Sequence, residues 1–118
     1  MATKIAVIGA KGRMGQAVLH LARADKTIEV VGEGDFGDDL AKVTAQAEAV
    51  VDFSHRSATE AVLKAAQAVK AACVIGTTGH TEAERGLITA ASHKIPLIHS
   101  PNFSMGVNLL FYLTCQFI

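Results

Sequence analysis

Three glycines near the start of the chain have the spacing of a loop that binds a phosphate group. Residues 9–15 read G-A-K-G-R-M-G and come directly after an apolar run at residues 4–8. In such a loop Gly9 permits a tight turn, Gly12 lets main-chain amides approach a pyrophosphate, and Gly15 lets the next helix pack closely. The first turn of that helix would direct its amides at the anion. Because strand-like and helical patterns flank the glycines, the segment favours a dinucleotide ligand.

A carboxylate further along the chain is the second feature of a dinucleotide site. Asp35 lies 20 residues after Gly15 and is suited to accept hydrogen bonds from the adenosine ribose. Glu33 competes for this role, because alternate residues of a strand point to the same side, but position along the chain favours Asp35. Two carboxylates would repel a 2′-phosphate, whereas Lys11 and Arg13 would attract one unless they form only a solvated loop surface. These residues leave both NADH and NADPH open.

Two further loops follow predicted strands at the edge where doubly wound sheets bind ligands. Residues 76–79 read G-T-T-G, and residues 100–104 read S-P-N-F-S. Their hydroxyl and amide groups suit a flat polar ligand, although the same groups also satisfy the local backbone in ordinary turns. Phe53, at the end of another predicted strand, packs either against the cofactor or in the core. These segments extend the predicted site beyond the glycines.

Composition and the other reactive residues exclude several classes of protein. The chain has 118 residues, is 50% apolar and balances 11 basic against 11 acidic residues, which favours one globular domain and disfavours nucleic acid as a partner. No apolar run is long enough to cross a membrane. The five histidines lack metal-ligand spacing and no G-x-S-x-G segment occurs, so we expect neither a metal site nor a serine hydrolase. Cys73 and Cys115 are expected to be reduced, and without a secretion signal the expected location is cytoplasmic.

The elements that must position these residues alternate along the chain. Short apolar runs predict five strands, at 4–8, 28–33, 49–53, 72–76 and 96–99. Stretches of helical spacing lie between them, which predicts an α/β fold with a doubly wound, Rossmann-like parallel sheet in the order 3-2-1-4-5. Ser57 with Glu60, and Thr81 with Glu84, predict capping boxes at the starts of two helices.

Four segments taken together resemble the dihydrodipicolinate reductases of lysine and diaminopimelate biosynthesis. They are the glycine loop, D-F-S at 52–54, G-T-T-G at 76–79 and P-N-F-S-M-G-V-N at 101–108. The last segment is quite specific to that family, whereas the glycine motif is common to many dinucleotide enzymes. The resemblance covers nearly the whole chain.

The resemblance implies an enzyme that reduces 4-hydroxy-tetrahydrodipicolinate with hydride from NADH or NADPH. It also implies an N-terminal dinucleotide-binding domain, here residues 1–106, joined to a substrate and tetramerisation domain, with a homotetramer as the intact assembly. Thr78 is implied to touch the substrate as well as the cofactor. Together with the patterns above, the predicted cofactor-binding residues are Gly9, Ala10, Lys11, Gly12, Arg13, Met14, Asp35, Phe53, Gly76, Thr77, Thr78, Ser100, Pro101, Asn102 and Phe103.

One part of the family pattern does not occur in the sequence. It is the H-H-x-x-K-x-D-A-P-S-G-T segment, which supplies the family's proposed acid histidine and its lysine, so no catalytic residue is assigned to this chain. Residues 107–118 have an apolar helical pattern, the expected start of a connecting helix, and we expect a fragment that binds cofactor but turns over poorly. Two alternatives stay open: the Rossmann module of another oxidoreductase, such as an aspartate or homoserine dehydrogenase-like enzyme, and a stand-alone dinucleotide-sensing module.

Overall fold

Strands and helices alternate along residues 2–35, 37–77 and 79–99, the part of the chain that the computed structural model describes. The elements are β1 (Thr3–Ile8), α1 (Arg13–Ala24), β2 (Ile28–Gly34), α2 (Leu40–Thr44), β3 (Ala49–Asp52), a 3-10 turn (Arg56–Ala58), α3 (Thr59–Ala68), β4 (Ala72–Ile75), α4 (Glu82–Ser92) and β5 (Leu97–His99). Each observed strand agrees with its predicted range to within one residue at either end.

The five strands are all parallel and lie in the order β2-β1-β3-β4-β5. This confirms the predicted Rossmann-like sheet, but the predicted strand order 3-2-1-4-5 is wrong, because β3 pairs with β1. β2 carries the exposed Glu29 and Glu33 and buries only Gly34, so it is suited to an edge of the sheet and not to an interior position. The winding of the sheet therefore reverses after β2, and the switch point lies between β1 and β3.

The core is divided between the two faces of the sheet. Ile5 and Val7 of β1 pack with Leu19 of α1 on one face. Ala6 and Ile8 alternate with them and pack on the other face, with buried residues of α3 and α4. β1 is therefore covered on both faces, and its carboxyl end lies between β2 and β3, at the switch point.

The two predicted capping boxes have different outcomes. At the start of α4, the Thr81 hydroxyl accepts from the Glu84 amide at 3.2 Å and the Thr81 amide donates to the Glu84 carboxylate at 2.7 Å, which confirms that box. The box at Ser57 is wrong, because a 3-10 turn precedes α3 and Ala58 is the cap residue. The Ser57 hydroxyl instead lies 2.9 Å from Nδ1 of His55.

Cys73 is a free, buried cysteine, as expected for a packing residue. Burial raises the pKa of its thiol to about 12, with a smaller contribution from the nearby Asp52 carboxylate. Cys115 lies outside the described residues. Within the described ranges, no helix has the length and apolar character needed to cross a bilayer.

Candidate functional site

The bend between β1 and α1, residues 9–15, is here called the glycine bend. Gly9 adopts φ +84, in the left-handed region that favours glycine. A Cβ atom there would also lie 2.6 Å from the carbonyl carbon of Phe53 and from the amide nitrogen of Ser54. The amides of Gly9 and Ala10 both donate to the carbonyl oxygen of Gly34. Only glycine fits at position 9, because the end of β3 passes directly against the bend.

The other two glycines of the bend have different surroundings. A Cβ atom on Gly15 would lie 1.9 Å from the carbonyl oxygen of Gly9, so α1 packs directly on the bend that precedes it. A Cβ atom on Gly12 would come no closer than 3.4 Å to that same oxygen, and Gly12 has an ordinary extended backbone. Gly15 is therefore required by the fold, whereas Gly12 is not.

The start of α1 leaves main-chain donors available to an anion. Gly12 is the cap residue and no side chain caps the helix. The first amides of any helix lack intrahelical acceptors and carry the positive end of the helix dipole. Lys11, Arg13 and Met14 are exposed around them. Such a helix start is a ready binding position for a phosphate group.

Asp35 lies beside the glycine bend. Its carboxylate accepts a hydrogen bond from the Lys11 amide at 3.1 Å, and its own amide donates to the Asp38 carboxylate at 2.7 Å. Glu33 makes an ion pair with Arg23 of α1, so its carboxylate is engaged away from the bend. Of the two carboxylates, the fold brings Asp35, which the sequence favours, to the glycines.

A cavity of about 340 Å³ opens next to Asp35. Its walls combine apolar groups with three carboxylates, from Asp35, Asp38 and Asp39. The full lining is Ile8, Asp35, Gly37, Asp38, Asp39, Leu40, Ser57, Ala58 and Ala61. A cavity of this kind suits a ligand with a flat apolar part and hydroxyl donors, and it disfavours an additional phosphate.

Main-chain hydrogen bonds tie the end of β3 to β1 and the end of β4 to β3. The Phe53 amide donates to the Ile8 carbonyl oxygen at 2.9 Å, and the Gly76 amide donates to the Asp52 carbonyl oxygen at 2.8 Å. The Phe53 ring lies against Gly76 so closely that a Cβ atom there would be 2.2 Å from Cε1. Phe53 thus contacts both the glycine bend, through its backbone, and the loop after β4, through its ring.

Asp52 is a buried carboxylate at this junction. Its Oδ1 accepts from the Ser54 amide at 2.9 Å and from the Ser54 hydroxyl at 2.5 Å, which shapes the turn after β3. Its Oδ2 has no hydrogen-bond partner among the described residues. Burial raises the pKa of Asp52, and the bonds from Ser54 and the nearby His80 oppose this shift only in part.

Thr77, His80 and Thr59 form a buried polar cluster that the sequence did not predict. The Thr77 side chain, predicted to offer a donor to the ligand, faces inward: Thr77 is 5% exposed and its hydroxyl lies 3.1 Å from Nε2 of His80. The same nitrogen lies 2.8 Å from the Thr59 hydroxyl. In the sequence, the position of His80 directly after G-T-T-G could have indicated its contact with Thr77. No sequence pattern links Thr59 to either residue.

Several predicted site residues lie outside the described part of the chain. They are Thr78, Ser100, Pro101, Asn102 and Phe103, together with the predicted connecting helix at 107–118. In the described ranges, no group of three histidine, cysteine or acidic residues is arranged to bind a metal ion. The described site therefore consists of the glycine bend, Asp35 with its cavity, and the ends of β3 and β4.

A parallel sheet of this order, with the glycine bend at its switch point, defines a Rossmann-like α/β domain. The family described as dihydrodipicolinate reductase, N-terminus, matches residues 3–103. The chain therefore belongs to the dihydrodipicolinate reductase family, as its N-terminal part. This membership sets aside the aspartate or homoserine dehydrogenase-like alternative.

Individual relatives agree with the family match. The 4-hydroxy-tetrahydrodipicolinate reductase of Akkermansia muciniphila is 42% identical over 110 residues, covering 93% of this chain and 45% of that relative. That of Alkalilimnicola ehrlichii is 36% identical over 132 aligned residues, covering 92% and 49%. The chain thus spans about half the length of the relatives it matches.

A solved structure agrees at the level of the fold. It is the dipicolinate-bound dihydrodipicolinate reductase from Paenisporosarcina sp. TG-14, with a TM-score of 0.74 and 21% identity. The alignment covers 92% of this chain and 51% of that one.

Proposed function

We propose that this chain is the NADH-binding half of a 4-hydroxy-tetrahydrodipicolinate reductase. The observation that carries the proposal is that the Asp35 carboxylate lies at hydrogen-bond distance from the glycine bend, next to the uncapped start of α1. A diphosphate and an adjoining ribose need these two features side by side. Support also comes from the family membership and from the cavity beside Asp35.

In this proposal the glycine bend binds the pyrophosphate through main-chain amides. Within residues 9–14 the amides of Arg13 and Met14, at the uncapped start of α1, contribute these donors, because the amides of residues 9–12 already bond within the protein. Gly12 leaves room for the phosphate because it has no side chain. Lys11 and Arg13 add positive charge near the same position. The ribose hydroxyls donate to Asp35, and the adenine occupies the cavity that Leu40 and Ala61 help to line.

We propose NADH and not NADPH as the preferred cofactor. Three carboxylates line the cavity where a 2′-phosphate would lie, and placing that dianion there would be unfavourable. Lys11 and Arg13 would favour NADPH if their flexible side chains reached the phosphate. The carboxylates decide the proposed preference, because Asp35 is held beside the bend by the Lys11 amide and lines the cavity with Asp38 and Asp39.

The nicotinamide end of the cofactor is proposed to lie at the ends of β3 and β4. There the main chain of Gly76 and Thr77, the Phe53 ring, and residues 100–103 would hold it, and Thr78 would also meet the substrate. When bound, the dinucleotide supplies the hydride for reduction of the cyclic substrate. The residues of this chain bind and orient the cofactor, and the proton donor is assigned to none of them.

The remaining proposals concern organisation. Residues 1–106 would form the cofactor domain and residues 107–118 the start of a helix leading to a substrate and tetramerisation domain. The intact enzyme is proposed to be a homotetramer in the cytoplasm, as part of lysine and diaminopimelate biosynthesis.

Calorimetric titration tests the proposal, and it suits a chain without tryptophan. We expect NADH to bind more tightly than NADPH. Asp35→Ala should weaken NADH binding about tenfold or more, because it removes hydrogen bonds to a charged group. Glu33→Ala is the matched control and should leave the affinity unchanged. Failure of the unaltered chain to bind either dinucleotide would overturn the proposal, and tighter binding of NADPH would overturn the cofactor preference.

A further inference from the structure

The polar cluster of Thr59, Thr77 and His80 lies beneath the loop at 76–79. All three residues are nearly inaccessible, at 1%, 5% and 6% exposure. Burying polar groups is unfavourable unless they bond to one another. Both hydroxyls lie within hydrogen-bond distance of one ring nitrogen, Nε2 of His80. The imidazole therefore links the two threonines across the interior.

The cluster joins separate elements of the fold. Thr77 follows β4 by two residues, Thr59 begins α3, and His80 directly precedes Thr81, the cap residue of α4. The His80 ring also packs edge-on against His99 of β5, with ring centroids 5.1 Å apart. His80 is thus held from several sides, and it in turn holds the Thr77 side chain.

The loop needs such a contact because its own sequence does not stiffen it. It contains two glycines, and Gly79 adopts φ +80 in the left-handed region. Glycines leave a loop with many alternative conformations. Fixing Thr77 from below restricts the main chain of Gly76 and Thr77, the groups that face the proposed nicotinamide position.

We propose that His80 is a positioning residue for the nicotinamide-side loop, acting by joining Thr77 to Thr59. This inference rests on the proposed function, since it assumes that the loop meets the nicotinamide end of NADH. His80 itself is buried and touches neither cofactor nor substrate in this scheme. Its effect is confined to ligands that have a nicotinamide ring.

Protonation of His80 gives the contact a dependence on pH. Nε2 of a neutral ring can accept a hydroxyl proton, whereas a charged ring can only donate. Burial lowers the pKa of His80, as do His99 and Arg56, while Glu84 and Asp52 raise it. We expect the ring to be neutral near pH 7. Acid would place a charge on a ring that is only 6% exposed, which is unfavourable, so the cluster and the loop above it should loosen when the ring is protonated.

The test compares NADH with ADP-ribose, which lacks the nicotinamide, by calorimetric titration of the full chain. His80→Leu should weaken NADH binding about three- to tenfold, the size of a lost hydrogen bond, and leave ADP-ribose binding unchanged. His80→Gln, which can place a polar group near the Nε2 position, should recover most of the affinity. NADH binding by the His80→Gln variant should also not weaken at acid pH, whereas NADH binding by the unaltered chain should. His93→Ala, at the exposed end of α4, is the control and should change neither ligand.

Thr77→Val provides a second route if His80→Leu does not fold. It should weaken NADH binding with the same selectivity, and combining it with His80→Leu should add little, because both remove one contact. Equal NADH affinity in these variants and the unaltered chain would overturn the inference, as would an equal loss of NADH and ADP-ribose. If the unaltered chain binds neither ligand, the proposed function fails and this inference fails with it.

Discussion

The glycine bend and the polar cluster lie at the same edge of the sheet but are built in opposite ways. In the bend, backbone segments approach so closely that a Cβ on Gly9 or Gly15 has no space. In the cluster, the side chains of Thr59, Thr77 and His80 meet across the interior. The first region is shaped by missing side chains and the second by buried ones.

This difference predicts how each region responds to change. A backbone clash cannot be relieved without moving a strand or a helix, so the bend should be intolerant of added atoms. A side-chain contact can be replaced by another group of similar shape, so the cluster should be more tolerant. The experiments below test this contrast in order of decreasing expected effect.

The largest effect is expected for Gly15→Ala. Its Cβ would lie 1.9 Å from the Gly9 carbonyl oxygen, so α1 or the bend must shift. We expect the free energy of unfolding to fall by about 3 kcal/mol, at the upper end of typical overpacking. Urea denaturation measures this change.

Two other glycines are matched controls for Gly15. Gly86, inside α4, has no neighbouring atom within 4 Å of the position that a Cβ would occupy, so Gly86→Ala should raise the free energy of unfolding by about 0.5–1 kcal/mol. Gly12→Ala should lower the free energy of unfolding by only about 0.5–1 kcal/mol, because alanine is a poorer cap residue than glycine, yet it should weaken NADH binding. If Gly15→Ala were as well tolerated as Gly86→Ala, the close packing of α1 on the bend would be disproved.

A smaller effect is expected at Thr81, the cap residue of α4, which directly follows His80 of the polar cluster. Thr81→Ala removes both the hydroxyl acceptor and the geometry of the capping box at the start of α4. We expect a loss of about 1 kcal/mol in the free energy of unfolding. Ser57→Ala, at the position where the predicted cap is wrong, should change it by less than about 0.5 kcal/mol. Equal effects of the two substitutions would mean that the capping box at Thr81 does not stabilise α4.

The smallest effect should appear only as a change with pH, in Asp52→Asn. Burial raises the pKa of Asp52 in the folded chain above its ordinary value of 3.8. The folded state therefore binds more protons than the unfolded state between these two values, and the contribution of Asp52 to stability falls as pH rises through that window. Asparagine retains an Oδ1 acceptor for Ser54 but does not titrate.

We therefore expect the stability of Asp52→Asn relative to the unaltered chain to increase as pH rises from 3.8 through the folded pKa, and then to level off. Loss of the Asp52 charge also removes a group that raises the pKa of His80, and this acts in the same direction. Urea denaturation of both proteins across that pH range measures the difference. A difference that is constant with pH would contradict the raised pKa of Asp52 in the folded chain.

The outcome for Asp35 and Glu33 illustrates the limit of reading the strand alone. Both carboxylates come at the end of β2 at a suitable distance from the glycines. Asp35 lies beside the bend, whereas Glu33 pairs with Arg23 of α1. This difference depends on where α1 packs, which the strand sequence does not specify. Strand order had the same limit, because nothing local to β3 specifies whether it pairs with β1 or lies beyond β2.

Local sequence patterns were enough to predict the glycine bend, the extents of the five strands and the capping box at Thr81. These features depend on backbone conformation and on periodicity over a few neighbouring residues, which a linear pattern contains. The strand order, the ion pair that holds Glu33 away from the bend, and the meeting of Thr59, Thr77 and His80 became visible only in the folded chain. Each of these depends on contacts between residues far apart in the chain, and those contacts exist only after the sheet and its helices have packed together.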